Sequence, residues 1–273
     1  MANQFSIAVV TGGGSGIGRA LCRRLASDGV KVVVVDLNKQ AAEAVADEIG
    51  GVAYQVDVGD ESAMLALVED IESKVGPIDL FASNAGVVFG DGETGSASAD
   101  GVITDIADRW EVSWQVNVMA HVYAARALVP RMIARGGGHL LNTVSAAGLL
   151  SSIGDAAYSA TKHAALGFAE AVAIRHGDEG IRVSVICPQA VSTNMLEQAT
   201  GPGASENVFG GADMDGVLPP EAVADKVVEG LAEGQFMITP HPEVIGYFQH
   251  KASNYDRWIG GMRKLRRNLS QET

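Results

Sequence analysis

The sequence is short of several things, and each shortage excludes something. Cysteine occurs twice, as Cys22 and Cys187. Two thiols so far apart support neither a disulfide framework nor a zinc cluster. Cations are outnumbered, with 20 Lys plus Arg against 33 Asp plus Glu and a formal net charge of −13. Coating nucleic-acid phosphates needs a cationic face, so no nucleic-acid partner is expected. No run of about 18 uninterrupted apolar residues exists, so no membrane-spanning helix is expected. The opening MANQFSIAVV lacks a basic start followed by a signal-type apolar run, which leads to the expectation of a cytoplasmic protein. The six histidines are scattered without metal-ligand spacing, so no catalytic metal is expected.

Glycine, by contrast, is plentiful at 33 residues. There is no collagen-like repeat, so the excess points to tight turns between packed elements. Hydrophobic residues make up 47% of the chain, enough for a buried core and too many for a disordered chain. Short apolar runs lie at Ser6–Val10, Lys31–Asp36, Val52–Val58, Asp79–Ser83, His139–Val144, Arg182–Cys187 and Phe236–Thr239. Most are nearly continuous rather than alternating, the pattern of strands buried on both faces of a parallel sheet. Helix-length segments lie between them, at 17–28, 39–49, 61–75, about 106–134, 157–176 and 221–232. The alternation predicts an α/β fold: a doubly wound parallel sheet of about seven strands with helices on both faces. One domain is expected over residues 1–250. Residues 90–101 read as a surface loop, and 192–220 as a long irregular excursion of the kind that often carries function.

Thr11-Gly12-Gly13-Gly14-Ser15-Gly16-Ile17-Gly18 follows the first strand and opens the first helix. Glycines there let the backbone approach a pyrophosphate, and the helix N-terminus offers free N–H groups to it. No Gly-Lys-Ser/Thr follows, which disfavours a P-loop hydrolase. Asp36 ends the second strand, where a carboxylate can accept from both adenosine ribose hydroxyls and repel a 2′-phosphate. Neither Ser15 nor Leu37 supplies a compensating cation, so NAD is expected rather than NADP. Tyr158 and Lys162 share one helix face at i, i+4 spacing. An ammonium beside a phenol favours the phenolate, so Lys162 is expected to lower the Tyr158 pKa toward a working range. Ser145 lies thirteen residues upstream, at the end of the fifth expected strand, where open α/β sheets place their ligands.

Over about residues 5–240 the chain resembles the classical short-chain dehydrogenase/reductases. The matching motifs are Thr11-Gly12-x-x-x-Gly16-x-Gly18, Asp57-Val58, Asn84-Ala85-Gly86, Asn117, Ser145, Tyr158-x-x-x-Lys162 and Pro188-x-x-Val191-x-Thr193, in family order. The resemblance implies that Tyr158 is the general acid and base and that Ser145 hydrogen-bonds the substrate oxygen. Lys162 would hold the nicotinamide ribose, and Asn117 would position a water linking Lys162 to solvent. Asp57, assisted by Val58, would contact adenine. Asn84, Ala85 and Gly86 would shape the cofactor cleft, and Val191 and Thr193 would hold the carboxamide end of nicotinamide. The chain departs from the family pattern at Ser83, often Asn, and at Gln189, usually Gly.

The excursion at 192–220 occupies the family's substrate-lid position. It carries Met195, Leu196, Val208, Phe209, Met214, Val217 and Leu218, with four acids (Glu197, Glu206, Asp213, Asp215) and no Lys or Arg. That suits a neutral hydrophobic alcohol or ketone, with Gln189, Met195 and Leu196 as candidate substrate contacts. The reading that results is an NAD-dependent oxidoreductase interconverting a hydrophobic secondary alcohol and its ketone. The alternatives are a non-catalytic NAD-binding redox sensor and a 3-oxoacyl-thioester reductase. The first has no use for a proton relay, and the second would meet phosphates with an acidic lid.

Residues 251–273 form a basic amphipathic extension. From Lys251 to Arg267 six cations face one acid, so this stretch is +5 and the rest of the chain −18. Trp258, Ile259, Met262, Leu265 and Leu269 fall on roughly one helical face. The extension could dock on the acidic body, cover the pocket of its own or a neighbouring subunit, or touch an anionic membrane. Docking on protein is favoured, since opposite charge and an apolar face are both at hand. Segments 106–134 and 157–176 resemble the family's interface helices, which implies a homotetramer or homodimer.

Overall fold

The computed structural model describes residues 5–89, 107–196 and 211–269. The expected surface loop at 90–101 lies outside the described residues, as do Glu197, Glu206, Val208 and Phe209 of the excursion.

Among the described residues seven strands form: β1 (Ile7–Thr11), β2 (Lys31–Asp36), β3 (Val52–Gln55), β4 (Leu80–Ser83), β5 (Gly138–Thr143), β6 (Ile181–Ile186) and β7 (Met237–Ile238). They make one sheet in the order β3-β2-β1-β4-β5-β6-β7, with every pairing parallel. The continuous apolar runs are explained by two-sided burial. Successive side chains of a strand point to opposite faces. In β2, Val33 and Val35 join the core on one face, and Val32 and Val34 the core on the other. In β1, Ile7 and Val9 divide from Ala8 and Val10 in the same way.

Among the described residues the α-helices named here are α1 (Gly16–Ser27), α2 (Lys39–Ile49), α3 (Glu61–Lys74), α4 (Ala107–Trp114), α5 (Ala120–Ala134), α6 (Ala147–Leu150), α7 (Ala156–His176), α8 (Pro220–Glu233), α9 (Glu243–Ser253) and α10 (Tyr255–Leu269). Leu21 and Leu25 of α1, Val45 of α2 and Val227 of α8 cover one face of the sheet. Met64 and Leu67 of α3, Leu128 and Met132 of α5 and Ala165 of α7 cover the other. Full burial of a side chain of this kind stabilises by roughly 1.5–3 kcal/mol. Local caps set several boundaries: Asn38 accepts from Ala41 N–H at 3.1 Å, and Asp60 from Ala63 N–H at 3.0 Å.

Two boundaries differ from the sequence reading. The third strand stops at Gln55 instead of Val58, because Asp57 Oδ1 accepts from Gly59 N–H at 2.9 Å and turns the chain toward α3. The segment expected as one helix over 106–134 is interrupted by a π-helical turn at Gln115–Met119. Such turns insert an extra residue and rotate the next stretch of helix about its axis, often at functional sites.

Strand order reverses at β1. From there β2 and β3 lie to one side, and β4 to β7 to the other. The crevice beyond the C-terminal ends of β1 and β4 is where such sheets bind ligands. The Thr11 hydroxyl is buried there and accepts from Asn84 N–H (2.9 Å) and Ala85 N–H (3.1 Å). Asn84 in turn donates to Thr11 C=O (3.0 Å) and accepts from the Thr143 hydroxyl (3.0 Å), so the ends of three strands are stitched together.

Candidate active site

A cavity of about 510 Å³ opens over this crevice. One end is the glycine loop, lined by Gly12, Ser15, Gly16 and Ile17. Gly12 has φ +62°, and a Cβ there would stand 2.9 Å from Ala85 Cα. A Cβ on Gly18 would fall on the Gly12 carbonyl and 2.6 Å from Asn84 Nδ2, so α1 packs against the loop only without a side chain at that position. Ser15 sits at the N-cap of α1 and makes no side-chain cap. The first N–H groups of α1 therefore face the cavity end with no side chain competing for them.

Asp36 lies beside the loop. Its carboxylate accepts from Gly14 N–H and Asn38 N–H, both at 2.9 Å, which fixes its orientation. Leu37 is exposed. Gly18, Asp36, Leu37, Asp57 and Val58 are not part of the cavity wall. Asp57 is at the surface with its carboxylate engaged in the Gly59 turn, and Val58 is buried in the core against α3.

Ser145, Tyr158 and Lys162 converge on the middle of the cavity. Ser145 follows β5, and its Oγ accepts from Ala147 N–H at 3.1 Å. Tyr158 sits in the first turn of α7, where Asp155 caps the helix by accepting from Tyr158 N–H at 2.6 Å. The Tyr158 and Ser145 side chains are neighbours in the cavity wall. Lys162 follows one turn later, its Nζ 5.5 Å from the Tyr158 ring centre and donating to Thr143 C=O at 2.9 Å. All three side chains are buried. Burial pushes the Tyr158 phenol up to about 12, opposed by the Ser145 hydroxyl. Burial brings the Lys162 ammonium down to about 8. In the protein alone desolvation of the phenolate dominates, and the opposing influence comes from Ser145.

Asn117 lies in the π turn behind this group, fully buried. Its Oδ1 accepts from Val87 N–H (2.9 Å), and its Nδ2 donates to Val87 C=O (2.9 Å) and to the Thr161 hydroxyl (3.3 Å). Asn84, Ala85 and Gly86 line the cavity floor. A Cβ on Gly86 would meet Asn117 Oδ1 at 3.2 Å and Lys162 Nζ at 3.5 Å, so both side chains approach the floor at this glycine. His121, one turn beyond Asn117, is a neighbour that the sequence reading did not single out. Burial, with the Lys162 charge nearby, pushes it down to about 3, so it is neutral.

Pro188, Gln189, Val191 and Thr193 form the wall after β6. The Thr193 hydroxyl donates to Val191 C=O (3.2 Å) and accepts from Leu196 N–H (3.4 Å), while its methyl arches over Gly16. Gln189 N–H donates to His241 Nδ1 (3.2 Å), and its side-chain Oε1 is buried in the wall without a hydrogen-bond partner. Met195 and Leu196 line the cavity with Leu150 and Met214. The remaining side is closed by α10, through Trp258, Met262 and Leu265. Of the placements weighed for the basic extension, the structure adopts the cover over its own pocket.

Among the described residues no group of three or more His, Cys, Asp or Glu could hold a metal ion. No described helix is long and apolar enough to cross a membrane.

Residues 6–202 match the family model for short chain dehydrogenase. The chain is 37% identical over 248 residues to a 1-deoxy-11-beta-hydroxypentalenate dehydrogenase of Streptomyces arenae, covering 87% of this chain and 83% of that protein. It is 35% identical over 205 residues to a cyclohexanol dehydrogenase of an Acinetobacter strain, covering 72% and 78% respectively. A short-chain dehydrogenase/reductase of Burkholderia phymatum, solved in complex with NAD, superposes with a TM-score of 0.78 at 27% identity, covering 94% of this chain and 96% of that one. The match spans the glycine loop, the strand ends and the Ser145–Tyr158–Lys162 group, and it makes this chain a member of the classical short-chain dehydrogenase/reductase family.

Proposed function

We propose that the protein is an NAD(H)-dependent oxidoreductase that interconverts a hydrophobic secondary alcohol and its ketone, with Tyr158 as general acid and base. The observation that carries this reading is that Ser145, Tyr158 and Lys162 line one cavity with the glycine loop, the Lys162 ammonium 5.5 Å from the Tyr158 ring centre. Those residues fit a dinucleotide. The loop is bare of side chains where a Cβ would collide with the backbone, and the α1 N-terminus is uncapped. The Asp36 carboxylate, held beside the loop by Gly14 and Asn38 N–H, would accept from two ribose hydroxyls, and its charge would oppose a 2′-phosphate. NAD, when bound, supplies the hydride acceptor and NADH the donor.

The chain's own residues do the rest. Ser145 donates to the substrate oxygen and stabilises charge developing on it. In oxidation the Tyr158 oxygen takes the hydroxyl proton as the carbinol hydrogen leaves as hydride. In reduction the Tyr158 hydroxyl returns a proton to the same oxygen. The Lys162 ammonium, swung from Thr143 C=O to a ribose, brings positive charge beside the phenol and favours its ionised form. Asn117 holds Val87 and so the floor beneath Lys162. Pro188, Val191 and Thr193 wall the nicotinamide end, and Gln189, Met195 and Leu196 face the substrate. The largely apolar lining supports an alicyclic or branched alcohol, in keeping with relatives named for cyclohexanol and hydroxypentalenate. Exposed Val112 and Trp114 on α4 and Ile174 on α7 support assembly into a homodimer or homotetramer through these helices.

The test is a screen of secondary alcohols with NAD, followed by NADH absorbance, on the wild type and Tyr158→Phe. The variant should lose about 10²–10⁴-fold in kcat and keep its affinity for NADH. Undiminished turnover by Tyr158→Phe would overturn the mechanism.

A further inference from the structure

Helix α10 lies beyond the matched family region. Its half-buried residues are Trp258, Met262, Leu265 and Leu269, spaced i, i+4, i+7, i+11 on one face. The opposite side carries exposed Arg263, Lys264, Arg266 and Arg267. The apolar face is turned inward over the cavity. Trp258, Met262 and Leu265 all line it, and Leu265 Cδ2 would lie 3.3 Å from a Cβ on Gly211, in the returning limb of the excursion.

The base of the helix is fastened to the elements that bear the catalytic groups. Lys251, near the end of α9, is 4% exposed. Its Nζ donates to Leu149 C=O at 2.6 Å and stands 3.4 Å from His163 Nε2. Leu149 belongs to α6, just after Ser145, and His163 adjoins Lys162 on α7. The same ammonium lies 5.3 Å from the Tyr255 ring centre, at the first residue of α10. Asn254 then starts the helix, its side chain accepting from Arg257 N–H at 2.9 Å and its carbonyl from Trp258 N–H at 3.0 Å. A lysine this buried on a surface helix is costly unless its ammonium is held. Here it is held by the framework of the active site.

We propose that α10 is the specificity wall of the substrate site. Trp258, Met262 and Leu265 set the bulk of the apolar group carried by the alcohol or ketone, and Lys251 is the positioning residue that holds this wall against α6 and α7. The proposal rests on the oxidoreductase reading above. It adds that substrate range is decided from the C-terminal helix as well as from the excursion.

The experiment measures kcat/KM for isopropanol, cyclohexanol and menthol with NAD, using the full-length chain. Trp258→Ala should raise the menthol-to-isopropanol ratio by about tenfold or more, since even one methylene in an apolar pocket discriminates by roughly 10–200-fold. NADH affinity should stay the same. Lys251→Met should raise KM for cyclohexanol more than it lowers kcat, and Lys251→Arg should recover part of that KM by donating again to Leu149 C=O. The proposal is overturned if Trp258→Ala changes all three alcohols by one common factor, or if Lys251→Met lowers only kcat. If the wild type oxidises none of the alcohols, the oxidoreductase reading fails by itself. Calorimetric titration of cyclohexanone into the NADH-loaded protein then decides on the wall: weaker binding by Trp258→Ala supports it, and unchanged binding overturns it.

Discussion

Replacing Asn117 by alanine tests the clamp beneath the catalytic lysine. The carboxamide is fully buried and makes three hydrogen bonds, two of them to the backbone of Val87 and one to Thr161. Alanine removes all three. A typical intramolecular hydrogen bond contributes about 0.5–1.5 kcal/mol net, so the three together contribute about 1.5–4.5 kcal/mol. Two features favour the lower half of that range. Val87 is only half-buried, so water reaches its freed groups, and Thr161 keeps its bond to Tyr158 C=O at 3.0 Å. The expected loss is about 2–3 kcal/mol, which for a chain of this size lowers Tm by roughly 5–10 °C. Release of Val87 also frees Gly86, so NADH affinity should fall with stability. The assay is thermal denaturation with and without NADH, paired with an NADH titration. Bound NADH should restore part of the lost Tm, because it stabilises only the folded state. An unchanged Tm with a large fall in kcat would refute the clamp and place the carboxamide in the reaction itself.

Two further perturbations address the charges of the site. Asp36→Ala removes the carboxylate that faces the ribose, and the preference for NAD over NADP should fall by about tenfold or more, given the cost of juxtaposed like charges; a wild type that prefers NADP contradicts the reading, and steady-state kinetics with both nucleotides decides. Lys162→Met should abolish turnover yet raise the Tm of the nucleotide-free protein at pH 7, because folding forces this ammonium into an apolar setting. Its folded pKa of about 8 lies below the usual 10.5. The unfolded chain therefore binds more protons between those values, and wild-type stability rises with pH across that window. The penalty is complete below about pH 8, so the Tm gap between variant and wild type should close as pH rises from about 8 toward 10.5. A wild type that melts above the variant at pH 7 refutes the argument.

Much of the fold was legible because two-sided burial writes itself as uninterrupted runs such as Lys31–Asp36. The glycine loop was legible because its backbone requires the missing side chains. What escaped depends on hydrogen bonds or distant packing. The π turn at Gln115–Met119 shifts one hydrogen-bond register while leaving the apolar pattern intact, so residues 106–134 read as one helix. The third strand was read too long because Val56 and Val58 are apolar, whereas the turn is made by the side chain of Asp57. The i, i+4 spacing of Tyr158 and Lys162 was visible, but the burial that sets their pKa values comes from elements far away in sequence. The apolar face of α10 was visible too. Its destination was not, because periodicity states that a face is covered and not by what.

The excursion after β6 is closed at its neck. Val191 and Leu218 form a parallel bridge, Ser192 N–H donates to Leu218 C=O at 2.9 Å, and Leu218 N–H donates to Ala190 C=O at 3.1 Å. The two ends of the excursion are therefore already joined. The entropy of closing a loop grows only logarithmically, by about 0.6 kcal/mol for each doubling in length. Insertions or wholesale exchange between Ser192 and Val217 should thus be tolerated with little strain on Ser145 or Tyr158. The bridge is a seam along which one cassette can be replaced, open to evolution and to the engineer who wants a new substrate on an unchanged proton-transfer centre.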